Sequence, residues 1–273
     1  MTPRQEGSAR RGVGAAWRVA AAVLPLWVGL AVVTVVVPPH ENLSDPATLA
    51  IRIGAGIALS SVTLLVIALL ARCADGTRIA DVGLPSMRGG WRLAVWGALL
   101  WAVPAAGTFG VLALRGSPLR VTAPAAELWQ TLGLVLVAVL VTEAIPEEAV
   151  FRGYVTTALG RITRGWGTVV AQAVAFVLFA GVIRQGWDPT DLSLFLAMGI
   201  GFGYLRMLTG SIWMSVGFHT AFQTGTQLVL SHQVVEFAGS TGLSMLALGM
   251  VPFTVAAIVV SGVGIPRWIL PPR

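Results

Sequence analysis

Apolar residues occur in eight long runs that are separated by charged residues, prolines and glycines. A helix needs about 20 residues to cross a hydrocarbon layer of about 30 Å. The pattern therefore predicts membrane-spanning helices at about 19–37, 53–71, 93–114, 128–150, 166–183, 191–208, 211–230 and 243–262. The sixth and seventh runs are divided only by a short break around Arg206 and Gly210, so an arrangement of seven spans is the alternative.

The positions of the arginines indicate how these helices are oriented. All 18 cationic residues are arginine, and cytoplasmic loops of membrane proteins carry the excess of positive charge. With a cytoplasmic N-terminus, four arginines fall outside and the other 14 (18 less four) fall on the cytoplasmic side; the four are Arg52, Arg115, Arg120 and Arg184. This split predicts an all-α, polytopic transmembrane bundle of about eight spans with both termini cytoplasmic.

The amino-acid composition indicates the class of protein and its location in a membrane. The chain is 56% apolar and 11% charged, with a mean hydropathy of +0.81, a balance that excludes a soluble domain of this size. We expect one transmembrane domain, 19–262, between a cytoplasmic segment, 1–18, and a cytoplasmic tail, 263–273. The arginines lie singly between apolar runs, so no nucleic-acid partner is expected. An arginine-only, alanine- and valine-rich chain indicates a bacterial plasma-membrane protein with lipid as one partner.

Three glutamates lie close together at the end of the fourth apolar run. A charged side chain at membrane depth costs about 3 kcal/mol on insertion scales, and it often marks a site or a buried pair. The spacing puts Glu143 and Glu147 on one helix face, and Glu148 with Arg152 on another. We expect Glu148 and Arg152 to pair and to leave Glu147 turned toward a different neighbour, after a kink at Pro146. The alternative is an ordinary helix end with solvated glutamates.

The second polar feature is His219, inside the seventh apolar run. Gln223 follows four residues later, so both side chains lie on one face of a helix. A lone histidine in a membrane helix is more often a packed, hydrogen-bonded residue than a ligand or a base. Its value as a site residue therefore depends on whether it faces Glu147.

The segment from Glu147 to Arg152, E-E-A-V-F-R, resembles the E-E-x-x-x-R motif of the CAAX-protease and bacteriocin-processing (CPBP, or Abi) family. The run from Gly203 to His219 is similar to the family's approach to its last motif, H-x-x-x-N. The resemblance covers about 125–230, and it implies an intramembrane endopeptidase acting on a membrane-associated peptide or protein substrate. In that family the first glutamate activates a water, and later histidines and an asparagine hold the water or a metal and stabilise the oxyanion.

The chain departs from this family at two positions. Ile183 stands where the middle motif, F-x-x-x-H, has its histidine, and Gln223 replaces the asparagine of the last motif. One histidine and one or two carboxylates make a poor zinc set. A divalent metal such as zinc, held by Glu147 and His219, and a metal-free mechanism with glutamate-activated water both stay open. The catalytic set that the resemblance implies is Glu147, Glu148, Arg152, His219 and Gln223.

Two other functions compete with the protease. Because Ile183 neither donates a hydrogen bond nor binds a metal, the chain is alternatively a catalytically silent family member that binds membrane peptides as a scaffold or self-protection factor. A proton-coupled transporter is the third reading, since glutamates at bilayer depth also serve proton relays. The sequence shows no inverted repeat, which weakens the transporter reading.

Overall fold

Eight long helices account for most of the chain that the computed structural model describes, which is residues 3–37, 44–232 and 234–270. Their bounds are α1 Pro3–Val36, α2 Pro46–Ala74, α3 Met87–Leu114, α4 Ala125–Leu159, α5 Trp166–Arg184, α6 Pro189–Thr209, α7 Trp213–Leu230 and α8 Thr241–Gly262. Each corresponds to one predicted apolar run. The all-α, polytopic bundle is therefore confirmed, while the side of the membrane on which the termini lie stays a prediction.

Seven of these helices in the described residues are long and apolar enough to cross a membrane, and α7 is the exception. Its residues from Met214 to Thr220 are all buried. Several of its buried side chains are polar, among them Ser215, His219, Thr220 and Thr224. The helix that carries the predicted histidine therefore lies inside the bundle, where its polar groups are shielded from lipid.

Glycines let α7 approach α3 closely. A Cβ atom added at Gly217 would lie 1.8 Å from the carbonyl oxygen of Ala94, and one added at Gly97 would lie 2.0 Å from that of Met214. Neither distance is possible for a real side chain, so both positions require glycine. Close packing of this kind is how small residues hold membrane helices together, and it fixes the depth of α7 in the bundle.

The fourth helix is irregular around its glutamates. α4 widens into a π-helix at Leu140–Ala144, returns to α-helical turns at Ile145–Glu148, and widens again at Ala149–Val155. Pro146 supplies a physical cause, because it has no N–H to donate to the preceding turn. Such π segments are frequent at functional sites because they re-aim side chains. The sequence predicts a kink at Pro146, and the structure shows changes of helical pitch on both sides of this residue.

The two ends of the bundle differ. At one end a short antiparallel pair joins β1, Leu119–Val121, to β2, Val235–Phe237. At the opposite end a 3₁₀ turn, Ile79–Val82, precedes a loop whose Gly83 carbonyl accepts a hydrogen bond from the N–H of Ile212 at 2.9 Å. This loop packs under α4 and α7, next to the residues of the predicted site.

Candidate active site between α4 and α7

The imidazole of His219 meets a carboxylate of α4 in the bundle, but it is the carboxylate of Glu148 and not that of Glu147, the glutamate expected to face it. His219 Nδ1 lies 3.0 Å from Glu148 Oε1, and Arg152 Nη1 donates to the same oxygen at 3.1 Å. The side chains of Glu148 and Arg152 are 0% exposed and that of His219 is 1% exposed. The expected ion pair is therefore present. We call these three residues the first cross-link, because they connect α4 to α7.

Aromatic rings and a backbone carbonyl surround the buried guanidinium. Arg152 lies over the rings of Phe176 and Phe202, at 4.4 and 5.1 Å from their centroids. Its Nη2 donates to the carbonyl of Met198 at 3.3 Å, and Phe202 also stacks on His219 with centroids 5.4 Å apart. A buried charge is tolerated only when it is paired and hydrogen-bonded. The rings thus hold the first cross-link in a fixed, dry position.

A second cross-link joins the same two helices farther along. Gln227 Nε2 on α7 donates to Glu143 Oε1 on α4 at 2.9 Å. Arg52, from α2, donates to Glu143 at 2.5 Å and to Gln227 Oε1 at 2.9 Å. Sequence reasoning missed Arg52 and Gln227, although Gln227 continues the four-residue spacing that begins at His219. Nothing in the sequence around Arg52 indicates this contact, because Glu143 and Gln227 are far from it in sequence and meet it only in the folded bundle.

Glu147 and Gln223 occupy the interval between the two cross-links. Glu147 follows Glu143 by four residues and shares its helix face, and Gln223 stands midway between His219 and Gln227 on one face of α7. Both are half-buried, and neither hydrogen-bonds another residue in the part of the chain that the structure describes. We call this interval the slot. It contains the carboxylate of Glu147 on α4 and the amide of Gln223 on α7.

Charged and titratable groups of the two cross-links surround Glu147 in the slot. His219 and Arg152 interact electrostatically with Glu147, and so do the neighbouring carboxylates of Glu143 and Glu148. Arg152 and Arg52 are paired with Glu148 and Glu143, so neither arginine is a hydrogen-bond partner of Glu147. Of the predicted site residues, Glu148, Arg152 and His219 are joined by hydrogen bonds, and Glu147 interacts with them electrostatically. Gln223 contacts none of them through a hydrogen bond among the described residues.

Ile183 is the penultimate residue of α5, is partly buried, and packs against the apolar core. Its side chain has no group that could donate a hydrogen bond or bind a metal, so this position adds no polar group to the candidate site.

The donor set around the slot does not fit a three-ligand zinc site. Among the described residues, no three histidine, cysteine, aspartate or glutamate side chains lie close enough together to hold a metal ion. The Nδ1 atom of His219 already faces Glu148. A metal at Glu147 and His219 would therefore have only two protein ligands, fewer than the three that catalytic zinc sites use.

Comparison with known proteins shows that this region is similar to a protease family. Residues 128–225 match the family model described as Rce1-like, the type II CAAX prenyl endopeptidases. The matched segment contains all five residues of the predicted catalytic set, and it confirms the resemblance seen in the E-E-x-x-x-R motif. No curated protein and no solved structure matches the chain significantly.

Proposed function

From the match of residues 128–225 to the Rce1-like CAAX protease family model, we propose that this chain is an intramembrane endopeptidase with Glu147 as its general base. The observation that carries the proposal is the division of labour between adjacent glutamates. Glu148 is occupied by Arg152 and His219, whereas Glu147 is unpaired in the slot. A site for water activation needs such a shielded, unoccupied carboxylate.

The reaction follows from these positions. Glu147 takes a proton from a water molecule, and the water oxygen attacks the carbonyl carbon of the scissile peptide bond. The C–N bond then breaks, and the proton on Glu147 passes to the departing nitrogen, so that a carboxylic acid and an amine are released. The carboxylate is regenerated, and no other reactant is consumed. The substrate is a peptide or a segment of a membrane protein that enters the slot from the membrane.

Gln223 and the first cross-link support this chemistry. The amide N–H₂ group of Gln223 donates to the oxyanion that develops on the substrate carbonyl, as the asparagine of the family motif would. The imidazole of His219, oriented through its Nδ1 by Glu148, presents Nε2 as a second donor. Glu148 and Arg152 act as positioning residues, because both are fully buried and contact each other.

A matched pair of glutamine variants tests the proposal. Purified full-length chain in phosphatidylglycerol and phosphatidylcholine vesicles is incubated with a library of apolar peptides, and products are identified by mass spectrometry. Glu147→Gln should abolish cleavage. Glu127→Gln, the same change at an exposed position of α4, should cleave like the unmodified chain. Unchanged cleavage by the Glu147 variant would remove the assignment.

A silent, peptide-binding protein is the second candidate, and Ile183 is the observation that favours it. In this reading the slot binds a membrane peptide without hydrolysing it. The Ile183→His variant separates the two: an inactive parent that gains hydrolysis shows a degenerate protease, whereas an active parent shows that the histidine is dispensable. Peptide binding by an inactive parent, measured by crosslinking, would support the scaffold.

A further inference from the structure

The arginine-rich end of α2 has a cavity that is separate from the slot. It has a volume of about 530 Å³, and its lining comprises Ala68, Arg72, Gly76, Thr77, Arg78 and Ile79. Ala68 belongs to the membrane-spanning part of α2, and Arg72 lies in its last turn. The cavity therefore has an apolar wall and a polar wall. It lies at the end of a membrane-spanning helix, where such a helix reaches the headgroup layer.

The charge near this cavity is positive. Arg72 and Arg78 are both exposed, and both line the cavity. The nearest carboxylate in sequence, Asp75, is 1% exposed and is held by Arg18 at 2.8 Å and by Arg161 at 2.7 Å. Its negative charge is thus compensated twice and does not face the cavity.

One further carboxylate belongs to the same loop. Asp81 Oδ2 accepts a hydrogen bond from the backbone N–H of Arg78 at 2.8 Å. Four arginines, namely Arg18, Arg72, Arg78 and Arg161, then stand against two aspartates. The local net charge is about +2 at neutral pH, which favours an anionic ligand between the two unpaired guanidinium groups.

An apolar groove lies on the adjacent face of the same helix end. It has a volume of about 410 Å³ and is lined by Trp17 from α1 and by Leu69, Leu70, Cys73 and Ala74 from α2. Trp17 is 46% exposed, and tryptophan is enriched where membrane helices meet the headgroup layer. A groove of this composition suits a hydrocarbon chain. A small anion bound in the basic cavity would make no use of such a groove.

From this pairing of a basic cavity with an apolar groove, we propose that the end of α2 binds an anionic phospholipid, with its phosphate between Arg72 and Arg78 and an acyl chain beside Trp17. Basic pockets at the ends of membrane helices bind anionic headgroups in this way. The bound lipid bridges α1, α2 and the loop that continues to Gly83, and it thereby ties the loop under the active site to the membrane surface. This proposal is independent of the chemistry in the slot.

Native mass spectrometry of the full-length, detergent-purified chain tests the proposal with equal amounts of dioleoyl phosphatidylglycerol and dioleoyl phosphatidylcholine. The unmodified chain should retain phosphatidylglycerol in preference to phosphatidylcholine. Arg72→Gln/Arg78→Gln should weaken phosphatidylglycerol binding about 30-fold, at about fivefold for each arginine. Arg88→Gln/Arg164→Gln removes two exposed arginines from the same end of the bundle, and it should leave the preference unchanged.

The possible outcomes separate a lipid site from other anion sites. Equal loss of preference in both double variants would assign the effect to bulk charge and overturn the proposal. Retention of the preference in Arg72→Gln/Arg78→Gln would overturn it as well. Displacement of the lipid by an excess of inorganic phosphate would assign a free-phosphate site instead. Because these side chains are exposed, an unchanged melting temperature should accompany each result.

Discussion

Two helical turns of α7 separate His219 from Gln227, and both side chains contact glutamates of α4. His219 lies 3.0 Å from Glu148, and Gln227 donates to Glu143 at 2.9 Å. The two contacts fix α4 and α7 at both ends of an interval about 12 Å long on α7, at 1.5 Å per residue.

Removing the cation of the first cross-link should destabilise the fold. Arg152→Met leaves Glu148 buried with His219 as its remaining partner, and loss of one member of a buried pair costs about 3 kcal/mol or more. Unfolding of the purified chain in increasing sodium dodecyl sulfate measures this loss. The double variant Glu148→Leu/Arg152→Met should recover much of the stability, because neither charge is then left unpaired. Equal stability of Arg152→Met and the unmodified chain would contradict the contact as described.

Removing the amide of Gln223 from the slot should lower turnover without lowering stability. Gln223→Ala removes a donor to the oxyanion, and loss of one such donor typically lowers kcat by about 10² to 10³. The melting temperature should stay unchanged, because Gln223 hydrogen-bonds no residue that the structure describes. Gln223→Asn restores the amide of the family motif and should retain measurable turnover. A Gln223→Ala variant with full kcat would exclude the amide from the reaction.

The buried imidazole of His232, just before β2, should make the fold sensitive to acid. Burial of His232, and then the positive charge of Arg52, lower its pKa from 6.5 to about 4; its Nδ1 lies 3.2 Å from Ser44 Oγ. Because the unfolded chain binds the proton more readily, stability should be constant above about pH 6.5 and fall between pH 6.5 and about 4. Melting temperatures measured across this range test the slope. His232→Gln should be less sensitive to pH, and an equal slope in both proteins would contradict the assignment.

The single cysteine allows a direct test of topology. Cys73 is exposed at the arginine-rich end of α2. A membrane-impermeant maleimide should label it in inverted vesicles and leave it unlabelled in spheroplasts, because the arginine distribution predicts a cytoplasmic location for this end. The control, Cys73→Ser/Arg115→Cys, carries its thiol at the opposite end and should give the reverse pattern. Labelling of Cys73 from the outside would invert the predicted orientation.

The sequence predicted the helices well because membrane helices are specified locally. A run of apolar residues is enough to place α1 or α8, whatever its neighbours are. The Glu148–Arg152 pair was equally predictable, since a spacing of four residues is a local property of a helix. The partner of His219 was not: α4 and α7 meet at an angle and a depth that depend on close contacts such as Gly217 against Ala94.

Arg52 shows the limit of sequence reasoning most clearly. It was assigned only to the external side of the membrane, as one of four arginines outside the cytoplasmic count. In the structure it reaches Glu143 and Gln227 and closes one end of the slot. Pro146 was the only residue in the sequence that pointed to the π segments of α4. A proline predicts that the helix is distorted, but it does not predict which helical pitch results.

Paired kinetic and stability measurements on the two adjacent glutamates test the central claim most directly. Glu147→Gln and Glu148→Gln are prepared identically, and kcat on a cleaved peptide and the melting temperature are measured for each. The account predicts that Glu147→Gln loses at least about 10²-fold in kcat, as expected for a general base, with an unchanged melting temperature, whereas Glu148→Gln lowers the melting temperature. Full turnover in Glu147→Gln, together with lost turnover and an unchanged melting temperature in Glu148→Gln, would contradict it.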